Sequence, residues 1–160
     1  MRLLIAAVGK LKSGPERMLC DRYLDRAQKG GRPLGLTRID IREWPESRAG
    51  RSDDRRQEEA IAILGAVPEG AKLVLLDEHG ANPTSIAFAD LIAEHRDKGV
   101  PDIVFAIGGP DGHGPAMAAR ADKTIAFGAL TWPHQIIRVL LTEQIYRATT
   151  ILSGHPYHRA

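Results

Sequence analysis

Residues 103–112 read IVFAIGGPDG, five apolar residues running straight into two glycines and a proline. Five is the length of a buried strand and falls short of the roughly ten residues that a packed helix needs. Gly108 and Gly109 carry no Cβ, so a ligand can approach their backbone closely, and Pro110 stiffens the exit. A tight strand-to-helix turn accounts for the same residues, and both readings stand. No Lys followed by Ser or Thr comes within this glycine loop, and no G-x-G-x-x-G follows the first apolar run. A nucleoside that donates methyl groups is therefore the better candidate than ATP or a nicotinamide cofactor.

Outward from this run the same grammar repeats. Leu3–Val8, Leu36–Ile41, Lys72–Leu76 and Thr124–Phe127 are comparable strand-like segments, and helix-like segments separate them. One starts near Pro15 and runs to Gly30–Gly31. A second is capped by Ser52 or Asp53 and ends at Gly65, and a third opens at Thr84 or Ser85 and closes at Gly99 and Pro101. The last extends from about Pro133 to about Thr150 as a largely apolar cylinder relieved by Arg138 and Arg147. Strands alternating with helices predict an α/β fold, a mainly parallel sheet with helices on both faces. Glu46–Asp53 and Gly108–Pro115 are the internal loops of interest, and Ser153–Ala160 is a polar tail.

A chain of 160 residues, 43% hydrophobic but only 5% aromatic, fits one domain over residues 1–160 whose core is built from Leu, Ile, Val and Ala. Leu3–Val8 is too short for a signal peptide or a membrane span, and no other segment comes closer, so a cytoplasmic protein without membrane contact is expected. Cys20 stands alone, which excludes an intramolecular disulfide and a cysteine-only metal cluster. The net charge of +2 hides an asymmetry. Residues 1–56 hold 14 Lys and Arg against 8 Asp and Glu, and residues 57–160 hold 8 against 12. Lys10, Lys12, Arg48, Arg51, Arg55 and Arg56 form a candidate polyanion footprint; an ordinary charged surface, with Asp53 and Asp54 in the same stretch, is the plainer reading.

In a parallel sheet ligands gather at the carboxyl ends of the strands. Three such ends carry unusual residues: Leu75–Leu76–Asp77–Glu78–His79–Gly80, the glycine loop after Ile107, and Phe127–Gly128–Ala129–Leu130–Thr131–Trp132–Pro133–His134. Gly128–Trp132 either walls an adenine ring or is a buried loop with Trp132 in the core. In the tail, Tyr157 has the chemistry to stack on a base, Arg159 to pair with phosphate, and His155 or His158 to take a proton. Two histidines three residues apart lack an obvious third metal ligand, and plain solvation also accounts for them.

These motifs together, in this order and spacing, resemble the bacterial 23S ribosomal RNA pseudouridine N3-methyltransferases, a family of the α/β-knot or SPOUT superfamily. The likeness spans the chain, from Ala7–Val8–Gly9–Lys10 through Leu76–Asp77, Ile107–Gly112 and Ala129–His134 to His155–Arg159. It implies a deep C-terminal trefoil knot, an exception to the rule that chains do not thread loops. It also implies S-adenosylmethionine as methyl donor, giving S-adenosylhomocysteine, with Leu76, Gly108, Phe127, Gly128, Ala129, Leu130, Thr131 and Trp132 around it, and no metal. The implied substrate is 23S rRNA, in the large subunit or the assembled ribosome, and the implied state is a homodimer in which one tail completes its neighbour's substrate site.

Within that frame His158 orients the target base or helps to remove its proton, while Tyr157 and Arg159 hold the nucleoside and its phosphate. Ala160 stands where an enteric relative has an acidic residue, leaving only its α-carboxylate, and Trp132 replaces a smaller apolar residue. The alternatives are another SPOUT enzyme acting on tRNA or rRNA, or a non-catalytic RNA-binding module. If the arginine footprint is real, Arg48→Ala and Arg51→Ala each lower the slope of log K against log salt by roughly 0.7–0.9 in an RNA-binding titration, and an unchanged slope removes it.

Overall fold

The computed structural model describes residues 1–159; the α-carboxylate expected of Ala160 lies outside the described residues. Five parallel strands form one sheet in the order β2-β1-β4-β3-β5. They are β1 (Arg2–Val8), β2 (Arg38–Trp44), β3 (Lys72–Ala81), β4 (Asp102–Ile107) and β5 (Lys123–Ile125). Four helices join them, α1 (Pro15–Gly31), α2 (Ser52–Leu64), α3 (Ser85–Asp97) and α4 (Pro115–Arg120), and α5 (His134–Leu152) follows the last strand.

Strand alternation decides which helix goes to which face. Leu3, Ile5 and Ala7 of β1, Val74 and Leu76 of β3, and Ile103, Phe105 and Ile107 of β4 share a cluster with Ala27 of α1, Phe88 and Ile92 of α3, and Leu141, Ile145 and Ala148 of α5. The intervening Ala6 and Val8, Leu73 and Leu75, and Val104 and Ala106 point the other way, onto Ala60 and Ile63 of α2 and Met117 of α4. Every residue of β4 is buried because the strand is covered on both faces, which is why it reads, after Asp102, as an unbroken apolar run. Helix α5 lies between α1 and α3.

Several boundaries differ from the sequence reading for local reasons. Strand β2 starts at Arg38 because a short 3₁₀ turn (Arg32–Leu34) closes on Gly35 at φ +81° and leads Leu36 back to hydrogen-bond Gly31. It then continues through Arg42 and Glu43 to Trp44, charged residues that an edge strand tolerates. Strand β3 runs on to Ala81 past an irregularity in its pairing with β5, and β5 stops at Ile125. Helix α2 is preceded by Arg51, with Ser52 already helical and Asp53 and Asp54 in the first turn, where carboxylates suit the helix dipole. Thr84 does cap α3, accepting from the Ala87 N–H. Helix α4 begins at Pro115, where the sequence pattern marks the end of a loop and no helix. Arg138 is the clearest correction: it does not relieve an exposed cylinder but lies wholly inside the protein, with 0% of its side chain exposed.

At the far end of β5 the Asp122 carboxylate accepts from Lys72 Nζ and the Leu73 N–H at 2.8 Å each and from Arg120 Nη1 at 3.0 Å. Partial burial pushes its pKa up, but the three donors outweigh it and hold the group at about 2. A carboxyl lowered on folding stabilises the protein above its unfolded pKa and loses that contribution as pH falls through the folded value. Asp122→Asn is therefore expected to cost about 1–3 kcal/mol at neutral pH, with the gap to wild type closing between roughly pH 4 and pH 2 in denaturant titrations.

Candidate functional site

The carboxyl ends of β3, β4 and β5 open into a cleft of about 830 Å³. Its walls come from three stretches: Leu76–His79 at the end of the straight part of β3, Ile107–His113 after β4, and Ile125–Phe127 leading into Gly128 and Leu130–His134. Arg56 of α2 and Ile137 of α5 complete it. The three strand ends that stood out in the sequence are thus neighbours in space, set side by side by the sheet order.

Each wall is held by a local device. Gly108 and Gly109 are buried, and a Cβ on Gly108 would lie 3.0 Å from the carbonyl carbon of Gly112, so the loop folds tightly over itself. Asp111 is gripped by Arg55 through two bonds of 2.6 and 2.9 Å. The third wall is tied to the first: the Gly128 N–H donates to Asn82 Oδ1 at 2.9 Å and Thr131 Oγ1 to Glu78 Oε2 at 2.7 Å. Trp132 Nε1 donates to the Phe127 carbonyl at 3.0 Å and so closes the loop on itself. Gly128 sits at φ +104°, a conformation that side chains with a Cβ rarely adopt.

Leu76, Gly108, Phe127, Gly128, Leu130, Thr131 and Trp132 all line the cleft; Ala129 belongs to the same turn but is exposed and outside the wall. Trp132 is 40% exposed and Leu130 70%, which sets aside a core position for Trp132. Arg56, assigned by sequence to a surface footprint, faces the cleft; His134, the last residue of the third quoted stretch, joins the wall, and His113 and Ile137 are further wall residues that sequence reasoning did not single out. Helical periodicity could have placed Arg56 opposite the exposed face of α2, but nothing local says that this face meets a glycine loop.

The electrostatics of the cleft are mixed. The Asp77 carboxylate is contacted by the backbone N–H and ring Nδ1 of His79 at 2.9 and 3.0 Å. Although burial pushes it up, those contacts and the nearby His113 hold it below the usual carboxylate range, so it is ionised at neutral pH. Burial keeps the His113 imidazole below its ordinary pKa and therefore neutral there, and its Nε2 has no hydrogen-bond partner among the described residues.

The tail does not reach this cleft within the chain. The Tyr157 hydroxyl donates to Glu143 Oε1 at 3.0 Å, and its ring lies 4.7 Å from that of Tyr146, with the Arg147 guanidinium 4.8 Å from its centroid. Burial and the Glu143 carboxylate push the phenol well above its ordinary pKa. His158 Nδ1 lies 3.4 Å from Arg147 Nη1, and Arg159 is exposed. Glu143 and Arg147 stand six and ten residues along α5 from Ile137, roughly 9–15 Å at the helical rise.

Comparison with known proteins adds three findings. A family model described as "Predicted SPOUT methyltransferase" matches residues 1–158. A protein of Nitrobacter hamburgensis named ribosomal RNA large subunit methyltransferase H is 57% identical over 159 residues, covering 99% of each chain. One of the same name from Brucella anthropi is 54% identical over the full length of both. Among solved structures, the "A. aeolicus TrmH/SpoU tRNA modifying enzyme" is 15% identical over 96% of this chain and 77% of its own, with a TM-score of 0.47.

The crossing behind the cleft gives a direct test of how it is built. Ile125 pairs with both Leu76 and Ala81, and a Cβ added to Gly80 would stand 2.6–2.7 Å from the Ile125 backbone N, Cα and carbonyl carbon. Backbone cannot yield as a side-chain tip does. Gly80→Ala is expected to destabilise the fold by about 3 kcal/mol or more in thermal or denaturant unfolding; a variant of wild-type stability would contradict the crossing.

Proposed function

The chain belongs to the SPOUT methyltransferase family, and from that premise we propose that it methylates N3 of a pseudouridine in the 23S rRNA of the large ribosomal subunit, in the cytoplasm and as a homodimer. The observation that carries this reading is the meeting of three separate strand-end loops around one cleft. Relatives more than half identical across the whole chain, named for methylation of large-subunit rRNA, support the choice of RNA.

The cleft suits S-adenosylmethionine. Its volume falls within the ~300–1,000 Å³ usual for small-ligand sites. Leu76, Phe127, Leu130 and Trp132 offer apolar surface to an adenine, Gly108 and Gly128 leave backbone accessible, and Asp77 and Glu78 present carboxylates to a ligand with cationic ammonium and sulfonium groups. When bound, this cofactor supplies an electrophilic methyl group. In the proposal Leu76, Gly108 and Phe127–Trp132 hold it, Ala129 through backbone alone, and no metal takes part.

Residues 1–160 then form a single domain with 153–160 as its functional tail, and the crossing of β5 against the end of β3 belongs to the deep C-terminal trefoil knot. The chain's remaining task is to bring N3 in line with the methyl group and to leave it without its proton. Alignment is worth several kcal/mol, and a positioned base about 10²–10⁴ in rate. Since Tyr157 is engaged by Glu143, Tyr146 and Arg147 of its own chain, its role is to anchor the tail. His158 and Arg159 follow that anchor in sequence; in the proposal His158, beside Arg147 at 3.4 Å, serves the target base and its proton, and exposed Arg159 serves phosphate. The separation between tail and cleft along α5 supports a two-fold arrangement in which each tail serves its partner's cleft, and half-exposed Ile136, Val139 and Leu140 on α5 offer apolar surface for it.

The reading is tested by nucleoside mass spectrometry of 23S rRNA treated with His158→Ala subunits, Gly108→Val subunits or folded mixed dimers of the two. Wild type should yield N3-methylpseudouridine, each parent should fall by about 10²-fold or more, and the mixed dimer should recover part of the activity, because one of its two sites combines an intact cleft with an intact tail. No recovery in verified mixed dimers defeats the shared site, and a different methylated nucleoside from wild type defeats the substrate.

A further inference from the structure

Helix α2 places Arg55 and Glu59 one turn apart, on one face. Each touches two loops at once. Arg55 Nε and Nη2 donate to the two carboxylate oxygens of Asp111 at 2.6 and 2.9 Å, while Nη1 donates to the carbonyls of Ala49 and Gly50 at 3.0 and 3.2 Å. Glu59, buried to 7% exposure, accepts from the Ser47 N–H at 2.9 Å, and a Cβ built on Gly109 would lie 3.1 and 3.3 Å from its carboxylate oxygens. Arg55 therefore fastens both the loop before α2 and the glycine wall of the cleft, while Glu59 holds the first and packs against the second.

All three Arg55 nitrogens are committed, two of them in a forked pair with a carboxylate, the strongest geometry the guanidinium makes. That leaves it poorly disposed to meet phosphate, although it sits among the arginines that sequence alone groups as an RNA footprint. We propose that Arg55 is instead a positioning residue of the cofactor cleft, holding the Gly108–Gly112 wall in register through Asp111. The inference rests on the reading of the cleft as the S-adenosylmethionine site. A lysine keeps the charge but cannot fork onto both carboxylate oxygens while also reaching Ala49 and Gly50, so geometry and charge are separable at this position.

Calorimetry of the intact protein with S-adenosylmethionine, without RNA, tests it alongside salt titrations of binding to a 23S rRNA fragment. Arg55→Ala, Arg55→Lys and Asp111→Asn are each expected to weaken cofactor binding about tenfold. The Arg55→Ala/Asp111→Asn double variant should be little worse than either single one, since both remove the same contact. The Arg55→Ala salt slope for RNA should match wild type, and its melting temperature should show that the fold is intact. Cofactor affinity unchanged in Arg55→Ala, affinity restored by lysine, or a slope lowered by roughly 0.7–0.9 in either Arg55 variant overturns the positioning role and returns Arg55 to the footprint. If Arg55→Ala does not fold, Arg55→Lys and Asp111→Asn decide by the same criteria. A wild-type chain that takes up no cofactor overturns the underlying reading, and the inference with it.

Discussion

A guanidinium buried without exposure is costly unless its charge and hydrogen-bonding groups are matched, and Arg138 is the largest fully buried side chain among the described residues. It pairs with Glu43 of β2 and donates to the carbonyls of Val8 and Gly9 at 3.2 and 2.8 Å, where β1 ends. Glu43 in turn accepts from Arg17 of α1 and from the Leu11 N–H. One helix residue thereby fixes the carboxyl ends of two strands and the start of the first helix. The same helix begins at His134 and carries Ile137, both in the cleft wall. Losing Glu43 would leave the Arg138 charge uncompensated inside the protein, so the position of α5 and the mouth of the cleft are settled together.

The sheet order gives the cleft its composition. Strand β4 lies between β1 and β3, and β5 pairs outside β3, so the chain returns three times to the same edge of the molecule. None of the three loops would make a site by itself. Hydrogen bonds from Gly128 to Asn82 and from Thr131 to Glu78 join the third wall to the first, and Arg55 joins the second to α2. The site is thus a set of short loops braced against regular elements, which keeps backbone groups fixed in direction.

Charge is redistributed in the same way. The excess of basic residues in the first third of the sequence is partly answered on folding, where Arg2 meets Asp102 and Arg55 meets Asp111 from the acidic remainder of the chain. Arg51 and Arg56 pair locally with Asp54 and Asp53. Lys10, Lys12 and Arg48 stay exposed and make no ion pair among the described residues. The surface that remains for a polyanion is therefore narrower than the sequence count suggests.

Apolar runs and their punctuation determined the layered α/β architecture, because burial on both faces demands unbroken hydrophobic strands and Gly or Pro marks the exits. Edge strand β2 was harder to read, since one side faces solvent and its Arg42 and Glu43 break the run, and the continuation of β3 past its irregularity follows a pairing with β5 that lies far along the chain. The three cleft-forming segments were legible from their glycines and their places after strands. That Arg56 faces the cleft, that Arg55 grips Asp111, that Arg138 is buried and that Tyr157 folds back onto Glu143 were not. Each depends on a partner 14 to 95 residues away or on a helix face meeting a distant loop, and periodicity carries no record of such partners. The sequence by itself determined the kinds of element and the chemistry available at their ends; only the tertiary structure decided which charges are spent inside the fold and which remain at the site, because charge pairing is set by distance in space.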